Sequence, residues 1–174
     1  MLCRLLALIL LSTPKARGND MDFEHISSRE GLVDLSIFCI TRDSYGFLWV
    51  GASFGLSRYD GYKWVQLKSN KFDPRTIPFN YVNSVIETRS GRLYFGSSDG
   101  GFCYYDRQHD LYVPISFKNT KVNTPYISQI LTIIQDKDGQ MWLGTRDGLL
   151  KYDETGDKHQ VYFPTGKVAN NLSN

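Results

Sequence analysis

Long apolar runs are missing from these 174 residues. The uncharged stretch Leu5–Leu11 falls well short of the roughly 20 apolar residues that a membrane-spanning helix needs. No stretch keeps a 3.6-residue apolar period, so helix is expected to be nearly absent. An excess of one charge is also missing. There are 20 basic and 18 acidic residues, net +2, and no basic stripe to neutralise phosphates, which argues against nucleic acid as a partner. Cysteine is scarce: three residues, none at zinc-ligand spacing. Histidine is equally scarce, and His25, His109 and His159 are scattered with no nucleophile at a shared position. Catalytic residues, metal ligands and cofactor motifs are therefore not visible, and the chain reads as non-catalytic, without metal or cofactor.

What is present is a repeat. Asp43–Asp60 reads DSYGFLWVGASFGLSRYD, Thr88–Asp106 reads TRSGRLYFGSSDGGFCYYD, and Asp136–Asp153 reads DKDGQMWLGTRDGLLKYD. Each copy has a turn glycine (Gly46, Gly91, Gly139), a short apolar segment around one aromatic residue (Trp49, Tyr94, Trp142), a second glycine (Gly51, Gly96, Gly144) and a closing Tyr-Asp pair. The spacing of the three turn glycines is nearly constant. It falls in the period of roughly 40–50 residues that fits one four-stranded propeller blade.

A turn ending in glycine between two extended runs reads as a hairpin, because glycine accepts the positive φ that tight turns need. Leu48 and Val50 share one face of their strand while Trp49 takes the other, so both faces are apolar. Such strands are expected to be buried on both sides, as in a blade between two neighbours. First strands are expected at Ile37–Thr41, Val82–Ile86 and Ile130–Ile134, and fourth strands at Lys63–Leu67, Leu111–Ile115 and Gln160–Phe163. Pro114 suits an outer edge with no neighbour to bond. Phe23–Ser27 reads as a lone strand ahead of the first repeat. The fold class is thus all-β: a partial β-propeller of three four-stranded antiparallel blades, at about 28–68, 80–116 and 126–164, forming an open arc, with a fourth blade begun at 170–174 and residues 164–174 loosely attached. Cys39 and Cys103 fall at non-equivalent positions and are expected to be free thiols.

Residues 1–18 differ from the rest. Arg4 precedes the apolar run, and Ala16-Arg17-Gly18 offers a small-x-small cleavage site, as in a secretory signal peptide. The other reading starts the protein at Met21. Without Arg4, Lys15 and Arg17, 17 basic residues face 18 acidic ones, net −1.

The pattern Asp-x-x-Gly-x-x-Trp-x-Gly followed by Gly-Leu-x-x-Tyr-Asp resembles the two-component regulator propeller repeat. Asp43, Gly46, Trp49, Gly51, Gly55, Leu56, Tyr59 and Asp60 carry it in the first copy. Asp136, Gly139, Trp142, Gly144, Gly148, Leu149, Tyr152 and Asp153 carry it in the third. The second copy departs, with Thr88 for Asp, Tyr94 for Trp and one extra residue at Gly100-Gly101. The resemblance implies the N-terminal part of the periplasmic sensor region of a Bacteroidetes hybrid two-component protein. It also implies a ligand-sensing role and passage across the inner membrane without membrane insertion of the mature chain. A parent protein of this kind carries a histidine kinase, but no kinase residue is present here.

Trp49 and Trp142 could stack on a sugar, but their repeat position makes them core residues. Asp136-Lys137-Asp138-Gly139 starts like a calcium loop, yet Gln140 and Asp147 stand at its fifth and twelfth positions, so a hairpin turn is expected. What remains is the face shared by the second-to-third-strand loops and the inter-blade loops. It carries Phe54, Asn80, Tyr81, Asp99, Tyr126, Arg146 and Asp147, which vary between copies inside a fixed frame. Aromatics flanked by Asp, Arg and Asn suit an oligosaccharide. The alternatives are a propeller-type lyase with its acid and base on that face, or an inactive truncated fragment. Three blades leave two faces open, so Ile40, Leu48, Val50, Ile133 and Leu143 are expected to be exposed. Further blades or another copy of the chain are the expected partners.

Overall fold

The computed structural model describes residues 23–70, 72–99, 101–117, 129–155, 158–162 and 168–170. Three antiparallel sheets follow one another along the chain. The first runs in the order β1 (Ile37–Arg42), β2 (Leu48–Ala52), β3 (Gly55–Tyr59) and β4 (Trp64–Leu67). The second is β5 (Ser84–Glu87), β6 (Leu93–Ser97), β7 (Gly101–Asp106) and β8 (Leu111–Pro114). The third holds β9 (Ile130–Gln135), β10 (Met141–Thr145), β11 (Leu149–Asp153) and β12 (Lys158–Tyr162). A fifth strand, β13 (Val168–Asn170), pairs with the outer edge of β12. No described residue is helical. The sheets are propeller blades, and their first strands β1, β5 and β9 lie side by side.

The turn glycines do what the repeat demands. Gly46, Gly91 and Gly139 all have positive φ, the left-handed region that penalises a side chain. Each turn closes the same way: Gly46 N donates to Asp43 O at 3.0 Å, Gly91 N to Thr88 O at 2.8 Å, and Gly139 N to Asp136 O at 3.1 Å. The departures in the second copy leave this geometry intact.

Two cores lie between the blades. Trp49, Val82, Val85 and Phe95 belong to the core joining blades 1 and 2; Tyr94, Phe102, Ile130 and Leu143 belong to the one joining blades 2 and 3. Close approach depends on two glycines. A Cβ on Gly51 would lie 2.5 Å from Val82 O, and one on Gly96 would lie 2.6 Å from Ile130 Cγ2. The free thiols fit these cores: Cys103 is fully buried, and burial pushes the Cys39 thiol up to about 11.

Several expectations need correcting. Residues 23–27 form no strand and pair with none of the strands among the described residues; Phe23 is exposed. Val50, Ile133 and Leu143 are buried, not exposed. Ile133 and Leu143 face blade 2. Val50 is covered by the lead-in segment: Leu32 is buried, and Val33 N donates to Oγ of Ser57, the residue paired with Val50. Ile40 is exposed as expected, and Leu48 is half-buried. Trp142 is only half-buried, whereas Trp49 and Tyr94 are sealed off entirely. All three rings point away from the preceding blade, and among the described residues nothing lies beyond blade 3. Residues 1–18, where a signal peptide is expected, the region around Tyr126 and residues 171–174 lie outside the described residues; Asn170 ends β13.

Candidate functional site

The two ends of the arc present different chemistry. The face expected to bind a ligand carries the β2–β3, β6–β7 and β10–β11 loops and the segments leading into each first strand. Phe54 sits at a loop tip, 63% exposed, and Tyr81 is 41% exposed. Tyr81 stacks with Phe38 at 6.2 Å between ring centroids, joining blades 1 and 2. Val82 N donates to Ala52 O at 3.0 Å, which draws the segment bearing Tyr81 against the loop bearing Phe54. Asn80 N donates to Asp99 Oδ2 at 3.3 Å, and Asp99 also accepts from the Ser97 hydroxyl. The structure thus brings Asn80 and Asp99 together, with Tyr81 beside them. Arg146 and Asp147 stand on the separate β10–β11 loop, where the Oδ2 atom of Asp147 is buried with no hydrogen-bond partner. Tyr126 lies outside the described residues.

The opposite face carries the β1–β2, β5–β6 and β9–β10 turns and the hairpins that follow each Tyr-Asp pair. Asp43 is central there. Its Oδ1 accepts from Phe47 N at 2.9 Å and Tyr45 N at 3.1 Å; its Oδ2 accepts from Trp49 Nε1 and Arg107 Nη2 at 2.8 and 2.9 Å. Burial raises the Asp43 carboxyl, but the bonds from Trp49, Arg107 and Phe47 outweigh it and hold the group below the ordinary carboxylate range. Asp136 repeats the arrangement: Trp142 Nε1 donates to its Oδ2 at 2.8 Å and Gln140 N to its Oδ1 at 2.9 Å. Both oxygens serve the turn, so the calcium-like start at 136 is a hairpin device. In blade 2 Thr88 has no carboxylate to offer, and Tyr94 has no indole N–H to give. The Tyr94 hydroxyl takes a bond from Arg92 Nη1 at 3.4 Å, and burial pushes its pKa up to about 12. Two of the three departures of the second copy, Thr88 and Tyr94, are thus one exchange.

On this face the residue after the closing Tyr-Asp of blades 2 and 3 reaches back to the preceding blade. Arg107 bonds Asp43 at 2.9 Å and Glu87 at 3.2 Å and lies over the Tyr45 ring at 4.3 Å. Glu154 accepts from Ser90 Oγ at 2.5 Å and Thr88 Oγ1 at 3.4 Å. A second link runs forward. Ser44 N donates to Glu87 at 2.6 Å, and Arg89 N to Gln135 at 2.9 Å. Between blades 2 and 3 an open groove of about 710 Å³ is lined by Ser90, Arg92, Tyr104, Arg107 and Glu154. Sequence reading missed these clasps. Their signal was the position after Tyr-Asp, where Gly61, Arg107 and Glu154 differ while the pair before them does not.

Residues 31–54 and 127–147 match the family model of the two component regulator propeller. The matched segments include the first hairpins of blades 1 and 3. The fold is similar to the extracellular domain of BT3049 from B. thetaiotaomicron, described as a hybrid two component system. Identity is 21% and the TM-score 0.67, over 83% of this chain and 19% of that one. It is also similar to the extracellular domain of BT4673 from the same organism, described as a one component system, at 21% identity and a TM-score of 0.62, over 86% of this chain and 20% of that one. The chain therefore spans about a fifth of the length of these two structures. A virginiamycin B lyase from Staphylococcus aureus shares the fold at 12% identity and a TM-score of 0.54, over 79% of this chain and 56% of that one. No curated protein sequence matches the chain.

Proposed function

We propose that the chain is a ligand-sensing propeller module of an extracytoplasmic two-component sensor, periplasmic in location and without catalysis of its own, and that its ligand is glycan-derived. The observation that carries the reading is the exposed aromatic surface of Phe54, Tyr81 and Phe38 beside the Asn80–Asp99 pair, held across two blades by a buried frame. Flat aromatic rings stack on the apolar faces of sugars, and Asp and Asn bind their hydroxyls; this pairing orients a polar ligand without a deep pocket. The match to regulator propeller repeats supports a sensing role, and no helix among the described residues is long and apolar enough to cross a membrane. No histidine or glutamate recurs at a shared loop position of the three repeats, which disfavours the lyase reading.

Calorimetric titration of the chain with a panel of oligosaccharides tests this. One glycan class should bind, Tyr81→Ala and Asp99→Ala should each weaken it at least tenfold, and the recovered glycan should be intact by mass spectrometry. Equal binding by both variants would discard the site, and cleaved glycan would restore the enzyme reading.

A further inference from the structure

The outward face of blade 3 repeats, position by position, a surface that is occupied at the other two blades. Trp49 and Tyr94 lie against the next blade; Trp142 lies at the same position with Ile134 beside it, 58% exposed. The slots at Gly51 and Gly96 are filled by Val82 and Ile130, each nine residues before its own turn glycine. A Cβ on Gly144 would meet only Thr132 of its own blade. At the rim, the Asp43–Tyr45 turn receives Arg107 and the Thr88–Ser90 turn receives Glu154. The corresponding turn of blade 3 presents two carboxylates, Asp136 and Asp138, and the next amide, Lys137 N, stands where Ser44 N and Arg89 N donate forward.

We infer that this face is the docking surface for one further repeat blade of defined chemistry. That blade carries a β-branched residue nine positions before its turn glycine, Glu or Gln at the end of its first strand, and Arg or Lys immediately after its closing Tyr-Asp. The rim acts as a charge code: an acidic turn takes a cationic clasp, as Asp43 takes Arg107, and a hydroxyl turn backed by an arginine takes an acidic one, as Thr88, Ser90 and Arg92 take Glu154. A second copy of this chain docking through its blade 1 fails the code. Blade 1 ends its first strand in Arg42, which cannot accept an amide and would face Lys137, and its clasp position is Gly61, which has no side chain. Its outward face also carries the lead-in segment through Leu32 and Ser57. Sequence alone showed that faces were open; it did not show that they differ.

The test grafts the chain's own blade 2, residues 80–117, behind Asn174 through a flexible linker. This copy carries the counterparts of Val82, Glu87 and Arg107. It is compared with the same graft bearing Arg107→Glu in the copy, on the natural face and on a face converted to the blade 2 type by D136T/D138S/Q140R/W142Y. On the natural face the arginine graft should melt higher than the glutamate graft by roughly 2–4 °C, and Trp142 emission should shift to the blue. On the converted face the order should reverse, and because each graft wins once, neither can be dismissed as unfolded. The same order on both faces, or no gain from either graft, overturns the proposal. So do ungrafted chains that associate through blade 1, seen as oligomers in sedimentation that Ile40→Lys abolishes.

Discussion

At the scale of single residues, the tryptophan of the first and third repeats has two energetic roles. Trp49 is sealed between blades, packs edge-on against Phe95 at 5.6 Å and bonds Asp43. Trp142 keeps the bond to Asp136 but has Lys151 and Tyr162 of its own blade around it. Trp49→Ala should therefore cost roughly 3–5 kcal/mol in urea unfolding, and Trp142→Ala clearly less. Equal costs would show that blade 3 is covered. Gly139→Val should cost roughly 1–3 kcal/mol through backbone strain at the positive φ of this turn, since only Gln135 Nε2, at 3.9 Å, meets the added Cβ. The Asp43 carboxyl gives a pH prediction. Its folded pKa is depressed, so its contribution is present above the unfolded value of about 3.9 and is lost as pH falls from there through the lower folded value. A series of melts across that window should be steeper for the natural chain than for Asp43→Asn; identical slopes would remove Asp43 from the acid transition.

At the scale of elements, the strands were legible because glycine and alternation are local signals. Gly46, Gly91 and Gly139 fixed the hairpins, and Pro114 marked an outer edge. What alternation cannot reveal is which face gains a neighbour, and for that reason Leu143 and Ile133 were expected outside and lie inside. Phe23–Ser27 had strand composition but no partner, and a strand exists only in a pair. The face expected to bind a ligand was readable as loops, and the structure brings only part of its residues together: Asn80 and Asp99 meet, while Arg146 and Asp147 sit on another blade. The clasps were illegible because they join residues far apart in the chain, such as Asp43 with Arg107 and Ser90 with Glu154, through a register no single repeat contains. They can be rewritten as a unit. Thr88→Asp alone places a carboxylate against Glu154 and should destabilise the chain; adding Glu154→Arg should recover it, with a coupling of roughly 0.5–3 kcal/mol in a double-mutant cycle. Additive costs would mean that blades 2 and 3 are joined by their core alone.

At the scale of the whole molecule, the balance turns on how many faces remain adhesive. Two equivalent open faces, one at each end of an arc, would associate head to tail, and a rotation that does not close builds filaments. The lead-in changes this. Leu32 and the Val33–Ser57 bond shield the start of blade 1 and leave Ile40 as the most exposed apolar side chain of its strands, whereas blade 3 offers Ile134, Leu149 and the edge of Trp142 together. A chain with one adhesive face has only a self-complementary way to cover it, and such pairing stops at two. Purified residues 23–174 should therefore bind a hydrophobic dye and, as concentration rises, pass from monomer to dimer in sedimentation without larger species. Ile134→Lys should remove both the dye signal and the dimer while leaving the melting temperature within about 2 °C, because an exposed position contributes little to the fold. Species that keep growing with concentration would mean that the lead-in does not shield blade 1. A monomer that binds no dye would mean that blade 3 is already covered.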